Sequence, residues 1–180
     1  MLMSIFSELS DERRGQGRMY RLEEVLLFSV LAILSGANSY RKIHTFTEEH
    51  LIYLRKRFKL KWDQAPSYST IRRVIKNVEP KELEKSFRKY SLSLANLDPN
   101  EYCFISLDGK TLRGSFDHFE DQKAIQLFSA FLTGKDLILA HETIDGSKTN
   151  EIPIAQELIE NLGLKNCIFT GDAMHCQKKH

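Results

Sequence analysis

The sequence predicts an α+β protein in which an all-helical amino-terminal half precedes a βββαβ series of the α/β kind. Three observations carry this expectation. Apolar residues recur at helical spacing, with capping residues at the segment ends, as far as about Leu97. After the turn-like Asp98-Pro99-Asn100, short apolar and β-prone runs take over. Charge changes sign at the same break. Met1 to Leu97 holds 18 Lys+Arg against 11 Asp+Glu, a surplus of +7, whereas Asp98 to His180 holds 8 against 13, or −5; together they give the net +2. The domains expected are therefore 1–97 and 98–180. A basic half suits a phosphate backbone and an acidic half suits cations, although charge of this size also simply solvates helix faces.

In the first half, Arg21 to Ser35 is rich in helix formers and apolar on most sides, as befits a helix at the centre of a bundle, and Gly36 stops it. Ser39 caps a second helix in which Ile43, Phe46, His50, Leu51 and Leu54 recur before the basic end Arg55-Lys56-Arg57. That end favours the helix dipole whether or not anything binds there. Lys61 to Tyr68, with Pro66, is a turn, and Ser67 or Ser69 caps the short helix TIRRVIKNV. Pro80 opens a helix over 81–95 with Leu83, Phe87, Tyr90 and Leu94 on one face.

In the second half, Tyr102 to Leu107 is the first strand. Ile125 to Leu132 and Leu137 to Ile144 form a hairpin around Thr133-Gly134-Lys135. Pro153 opens a helix that Gly163 ends, and Cys167 to Thr170 is a further strand.

Several function classes lack a sequence basis. The longest apolar stretch, Val25 to Leu34, is far shorter than the roughly 18 residues a membrane span needs, so no membrane partner is expected. The acidic and polar amino terminus differs from a secretory signal, so the expected compartment is the cytoplasm. Three cysteines, Cys103, Cys167 and Cys176, include no CxxC pair and are expected as reduced thiols. His175, Cys176 and His180 match no standard zinc spacing. Neither GxxxxGK[ST], GxGxxG nor GxSxG occurs.

Asp108, in FISLDGKTLRG, and Asp172, in CIFTGDAMHCQK, each follow an apolar β-run. If the two strands are parallel neighbours, both carboxylates emerge at the sheet edge where α/β proteins place their sites. Converging carboxylates repel unless a cation lies between them, and Mg²⁺ or Mn²⁺ prefers such oxygen ligands. A site of this kind activates water or a 3′-hydroxyl for phosphoryl transfer. A lone Asp-Gly after a strand is more often only a turn.

The wording SLDGKTLRGS, QLFSAF, KTNEIP and GDAMHCQK, in that order, resembles the H-repeat-associated proteins, a family of DDE insertion-sequence transposases with a ribonuclease-H-like catalytic domain. LLFSVLAILSGANSY and PSYSTIRRVI resemble that family's amino-terminal associated domain, so the likeness runs from about Leu22 to Lys178. It implies that Asp108 and Asp172 are the first two catalytic, metal-binding carboxylates, with Mg²⁺ or Mn²⁺ as cofactor. Glu151, in KTNEIP, receives no role. The third acidic residue would sit on a later helix, so the resemblance implies a catalytically incomplete chain that binds the metal weakly.

Lys110 and Arg113 follow Asp108 and are candidates for phosphate contacts. Arg72, Arg73 and Lys76 are candidates for facing DNA in a helix-turn-helix-like arrangement; the alternative is that Ile71, Val74 and Ile75 pack inward while the cations meet water. The partner implied is DNA at transposon ends, with a second copy or an intact transposase as the assembly. Two rival functions stand beside DNA cleavage and strand transfer. One is a DNA-binding regulator that competes with an intact transposase, and the other is a soluble interaction module without DNA activity.

Overall fold

A computed structural model describes residues 2–112, 125–144 and 151–171. The chain divides into two compact units, Met1–Ser86 and Phe87–His180. The division falls inside one helix rather than at the turn around Pro99, because Phe87 and Arg88 already engage the sheet. The Phe87 ring lies 5.3 Å from that of His141, and Arg88 pairs with Glu142 at 3.1 Å.

The first unit contains α1 (Leu2–Phe6), α2 (Leu22–Leu34), α3 (Tyr40–Glu49), α4 (Leu51–Phe58), α5 (Tyr68–Lys76) and the start of α6 (Pro80–Ala95). Buried on most of its sides, α2 is the central helix, as its uninterrupted apolar character requires. Gly36, at φ +94°, supplies the left-handed residue that ends it. The aromatic core gathers Tyr20, Phe28 and Trp62 in edge-to-face contact, with centroids 5.0 Å and 5.2 Å from Trp62. A smaller cluster of Ala32, Ile43 and Ile71 joins α2, α3 and α5.

Two departures from the sequence reading arise here. The helix α1 was not anticipated; it and the turn after it bury Ile5, Phe6 and Leu9. The single helix expected after Ser39 is broken at His50, whose backbone relaxes to φ −99°, ψ 6° while its ring stacks on Phe46 and its Nδ1 bonds the Phe46 carbonyl at 2.8 Å. The expected cap at Ser39 does accept the Lys42 N–H.

The second unit is a four-stranded sheet in the order β3-β2-β1-β4, formed by β1 (Cys103–Thr111), β2 (Gln126–Leu132), β3 (Leu137–Ile144) and β4 (Cys167–Thr170), with α7 (Glu151–Leu162) packed on β2 and β3. β1, β2 and β3 are antiparallel neighbours, whereas β4 lies parallel to β1. The βββαβ order of the sequence reading is thus present. The bulge at Ala130/Phe131 leaves Leu139 as an extra residue, so Leu139 and Ala140 are both fully buried. Ile154, Ala155, Leu158 and Leu162 of α7 complete the core.

Three expectations are corrected in this unit. β1 continues to Thr111, four residues past the predicted end, because Asp108 to Thr111 still pair with β2. The buried face of α6 carries Ser91 and Ala95, while Leu83 and Leu94 are exposed. Finally, Cys103 and Cys167 are not free thiols but a disulfide. They are direct register partners on β1 and β4, with Cα atoms 4.6 Å apart, within the span a disulfide bridges.

Candidate functional site

Alternation along β1 sends Cys103, Ile105 and Leu107 toward the core and Phe104, Ser106, Asp108 and Lys110 toward the opposite face. Asp108 and Lys110 are exposed there, opposite Ser129 and Leu127 of β2. Asp108 is therefore inside a strand with respect to β2, yet two residues beyond the last β1/β4 pair, Ser106 with Thr170. On the same face a row of hydroxyls links three segments. Ser106 Oγ lies 3.2 Å from Thr170 Oγ1 and 3.3 Å from Thr133 Oγ1. Sequence reasoning passed over these hydroxyls; their only signal is the period-2 spacing of Ser106 and Asp108.

Asp172 and Arg113 lie outside the described residues, as do His175, Cys176 and His180. Glu151 begins α7. Among the described residues no group of three or more His, Cys, Asp or Glu side chains could hold a metal. The donors on the Asp108 face are oxygens, of the hard type that Mg²⁺ and Mn²⁺ prefer, so Asp108 fits such an ion as one of its ligands.

The second candidate surface is on α5. Ser67 caps this helix by accepting the Thr70 N–H, as the sequence predicts. Ile71 and Val74 are buried, while Arg72, Arg73 and Lys76 are exposed on the outer side. The helix rests on α3 rather than on α4, which directly precedes it in the chain. His44 of α3 bonds the Pro66 carbonyl through Nδ1 at 3.0 Å, and the Arg41 guanidinium lies over the Tyr68 ring at 5.3 Å. The segment 59–67 joining α4 to α5 is longer than the tight three- or four-residue turn of a helix-turn-helix.

Three carboxyls in the first unit are shifted by their surroundings; Ser10, donating through its backbone N–H and its hydroxyl, holds the Glu82 carboxyl below its usual range. The Arg13 guanidinium beside Asp11, at 2.7 Å, holds that carboxyl below its usual range. Burial pushes the Glu24 carboxyl up; the neighbouring Trp62 indole N–H, which completes no hydrogen bond, opposes the shift. None of the three lies on the surfaces described above.

A family profile described as "DDE_Tnp_1-associated" matches residues 3–91. The "Putative transposase YncI" of Escherichia coli (strain K12) is 33% identical over 174 residues, covering 96% of this chain and 68% of that protein. The "H repeat-associated putative transposase YbfD" of the same strain is 32% identical over 177 residues, covering 98% of this chain and 68% of its own. The chain belongs to the H repeat-associated transposase family. Other relatives are longer. The family member "H repeat-associated putative transposase YhhI" is 33% identical over 177 residues, which are 98% of this chain but 46% of that protein. The chain thus spans about half the length of several of the curated relatives it matches. No solved structure matches it. No described helix is long and apolar enough to cross a membrane.

Proposed function

We propose that this chain supplies the DNA-binding helical part and the first catalytic strands of a ribonuclease-H-like DDE transposase, which cleaves and joins DNA at transposon ends with Mg²⁺ or Mn²⁺. The observation that carries the reading is a register. Every β1/β4 pair, from Cys103 with Cys167 to Ser106 with Thr170, is separated by 64 residues. Asp108 and Asp172 have the same separation in the sequence. Were the parallel register to continue by two residues, the two carboxylates would stand side by side, on the face that carries Asp108 and the Ser106 and Thr170 hydroxyls.

A divalent ion bound there supplies Lewis-acid stabilisation for phosphodiester chemistry. The residues of this chain have simpler tasks: Asp108 and Asp172 bind and orient, the hydroxyl row keeps the two strand ends together, and Lys110 and Arg113 meet neighbouring phosphates. Arg72, Arg73 and Lys76 hold the duplex at α5. Electron paramagnetic resonance of Mn²⁺ titrated into the chain tests the pairing. Asp108→Asn and Asp172→Asn should weaken binding to a similar degree, and the double variant little further. Independent, additive effects of the two would defeat the shared site.

A second reading, a DNA-binding regulator that occupies element ends, is favoured by the family match, which covers the helical part, and by the exposed cations of α5. It predicts sequence-selective, salt-sensitive DNA binding that survives Asp108→Asn unchanged.

A further inference from the structure

The stretch Arg55 to Lys61 reads RKRFKLK, five cations in seven residues with no acidic residue among them. The helix dipole accounts for Arg55, Lys56 and Arg57 in the last turn of α4. It does not account for Lys59 and Lys61, which lie beyond the helix. Nor does solvation explain the turn before the cations, where Ile52 and Tyr53 are 87% and 64% exposed.

The fold holds this stretch in place. Leu54 is buried and Leu51 and Phe58 half-buried on the inner side of α4, which leaves Ile52, Tyr53, Lys56 and Arg57 as one outer patch of i, i+4 neighbours. Lys59 takes the left-handed conformation that closes the helix, at φ 53°, and the Leu60 N–H returns to the Arg55 carbonyl at 3.2 Å. Leu60 and Trp62 are then buried in the aromatic core, so Lys59 and Lys61 stand outside on either side of Leu60. Arg55 is partly neutralised by Asp63 at 3.5 Å. Lys56, Arg57, Lys59 and Lys61 form no ion pair among the described residues.

We infer that the outer face of α4 and the segment after it, through Tyr53, Lys56, Arg57, Lys59 and Lys61, form a second DNA surface that grips the duplex backbone independently of sequence. This rests on the reading of the chain as a DNA-binding transposase part, and adds to it a surface separate from α5. Each phosphate that these cations neutralise releases counterions. The Tyr53 hydroxyl is a further phosphate donor.

Fluorescence anisotropy with the full chain, an element-end duplex and a scrambled duplex, over a salt series, tests the inference. Lys56→Gln/Arg57→Gln/Lys59→Gln/Lys61→Gln should weaken both duplexes by the same factor. The slope of log affinity against log salt should shrink by about 0.9 for each cation that meets a phosphate, hence by roughly 2–4. Lys59→Gln/Lys61→Gln, which leaves α4 untouched, should produce about half of that change, with unaltered circular dichroism. A parent chain that binds neither duplex would overturn the transposase reading and this surface with it. A parent that binds while both variants keep its affinity and slope would overturn the α4 surface alone. So would loss, in the variants, of binding to phosphatidylserine vesicles with DNA affinity unchanged, which would assign the patch to a membrane surface instead.

Discussion

The two units solve the problem of a small core in different ways. The helical unit packs an aromatic cluster, Tyr20, Phe28 and Trp62, against a central helix and finishes its helices with local caps. The sheet unit packs the Phe128 ring among aliphatic and small side chains such as Ile105, Ala140 and Leu158, and fastens its short edge strand with a covalent bond and a row of hydroxyls. The caps of the first unit act over three residues, whereas the disulfide and the Ser106–Thr170 hydroxyl pair of the second span 64. The unit built from local devices should keep its structure when the long-range ones are cut, and the sheet unit should not.

Core truncation gives the largest expected effect and the sharpest contrast. Trp62→Ala and Phe128→Ala remove fully enclosed rings, and each should cost about 3–5 kcal/mol in its own unit. Differential scanning calorimetry should show one transition lowered and the other spared in each variant. A common shift of both would merge the two units into one cooperative block.

Next comes the disulfide. A bridge closing a loop of this length is typically worth about 2–4 kcal/mol, so reduction, or Cys167→Ser, should destabilise the sheet unit by that order. Trp62 is the chain's single tryptophan and sits in the helical core, so its fluorescence reports that unit alone. The fluorescence transition should stay in place under dithiothreitol while the far-ultraviolet circular dichroism of the sheet changes. An equal fall in both would remove the contrast.

Smaller effects follow from the caps. Ser39→Ala and Ser67→Ala each leave a helix N–H without its side-chain acceptor and should cost about 0.5–2 kcal/mol, read as a lower denaturation midpoint in urea. Ser93→Ala, at an exposed position inside α6, provides a control close to zero.

The smallest expected effect is a pH dependence with opposed contributions. Asp11, held low by Arg13, contributes stability above its unfolded-state value and loses it as pH falls through the folded value. Glu24 is raised by burial, so its penalty is absent in acid and grows as pH rises from the unfolded-state value through the folded one. Glu24→Gln should therefore help the helical unit near neutral pH and do little at low pH, measured by the Trp62 transition. A benefit greater in acid would reverse the sign and sink the assignment.

Much of this architecture was legible because its causes are local. The Ser39 and Ser67 caps, the glycine stop at Gly36, the inward and outward sides of α5 and the Leu137–Ile144 strand all follow from neighbouring residues. What the sequence alone could not decide was which remote segments meet. Leu83, Phe87, Tyr90 and Leu94 share one side of α6, yet the residues that the helix buries are Ser86, Ser91 and Ala95, while Leu83 and Leu94 are exposed. Cys103 and Cys167 carry no spacing signal, and only the parallel pairing of β1 with β4 makes them opposite one another. That same pairing aligns the positions leading to Asp108 and Asp172. Burial of a local pattern is written in periodicity, but partner and register are settled by the packing of the whole sheet, where a shift of one residue would turn every side chain to the wrong face.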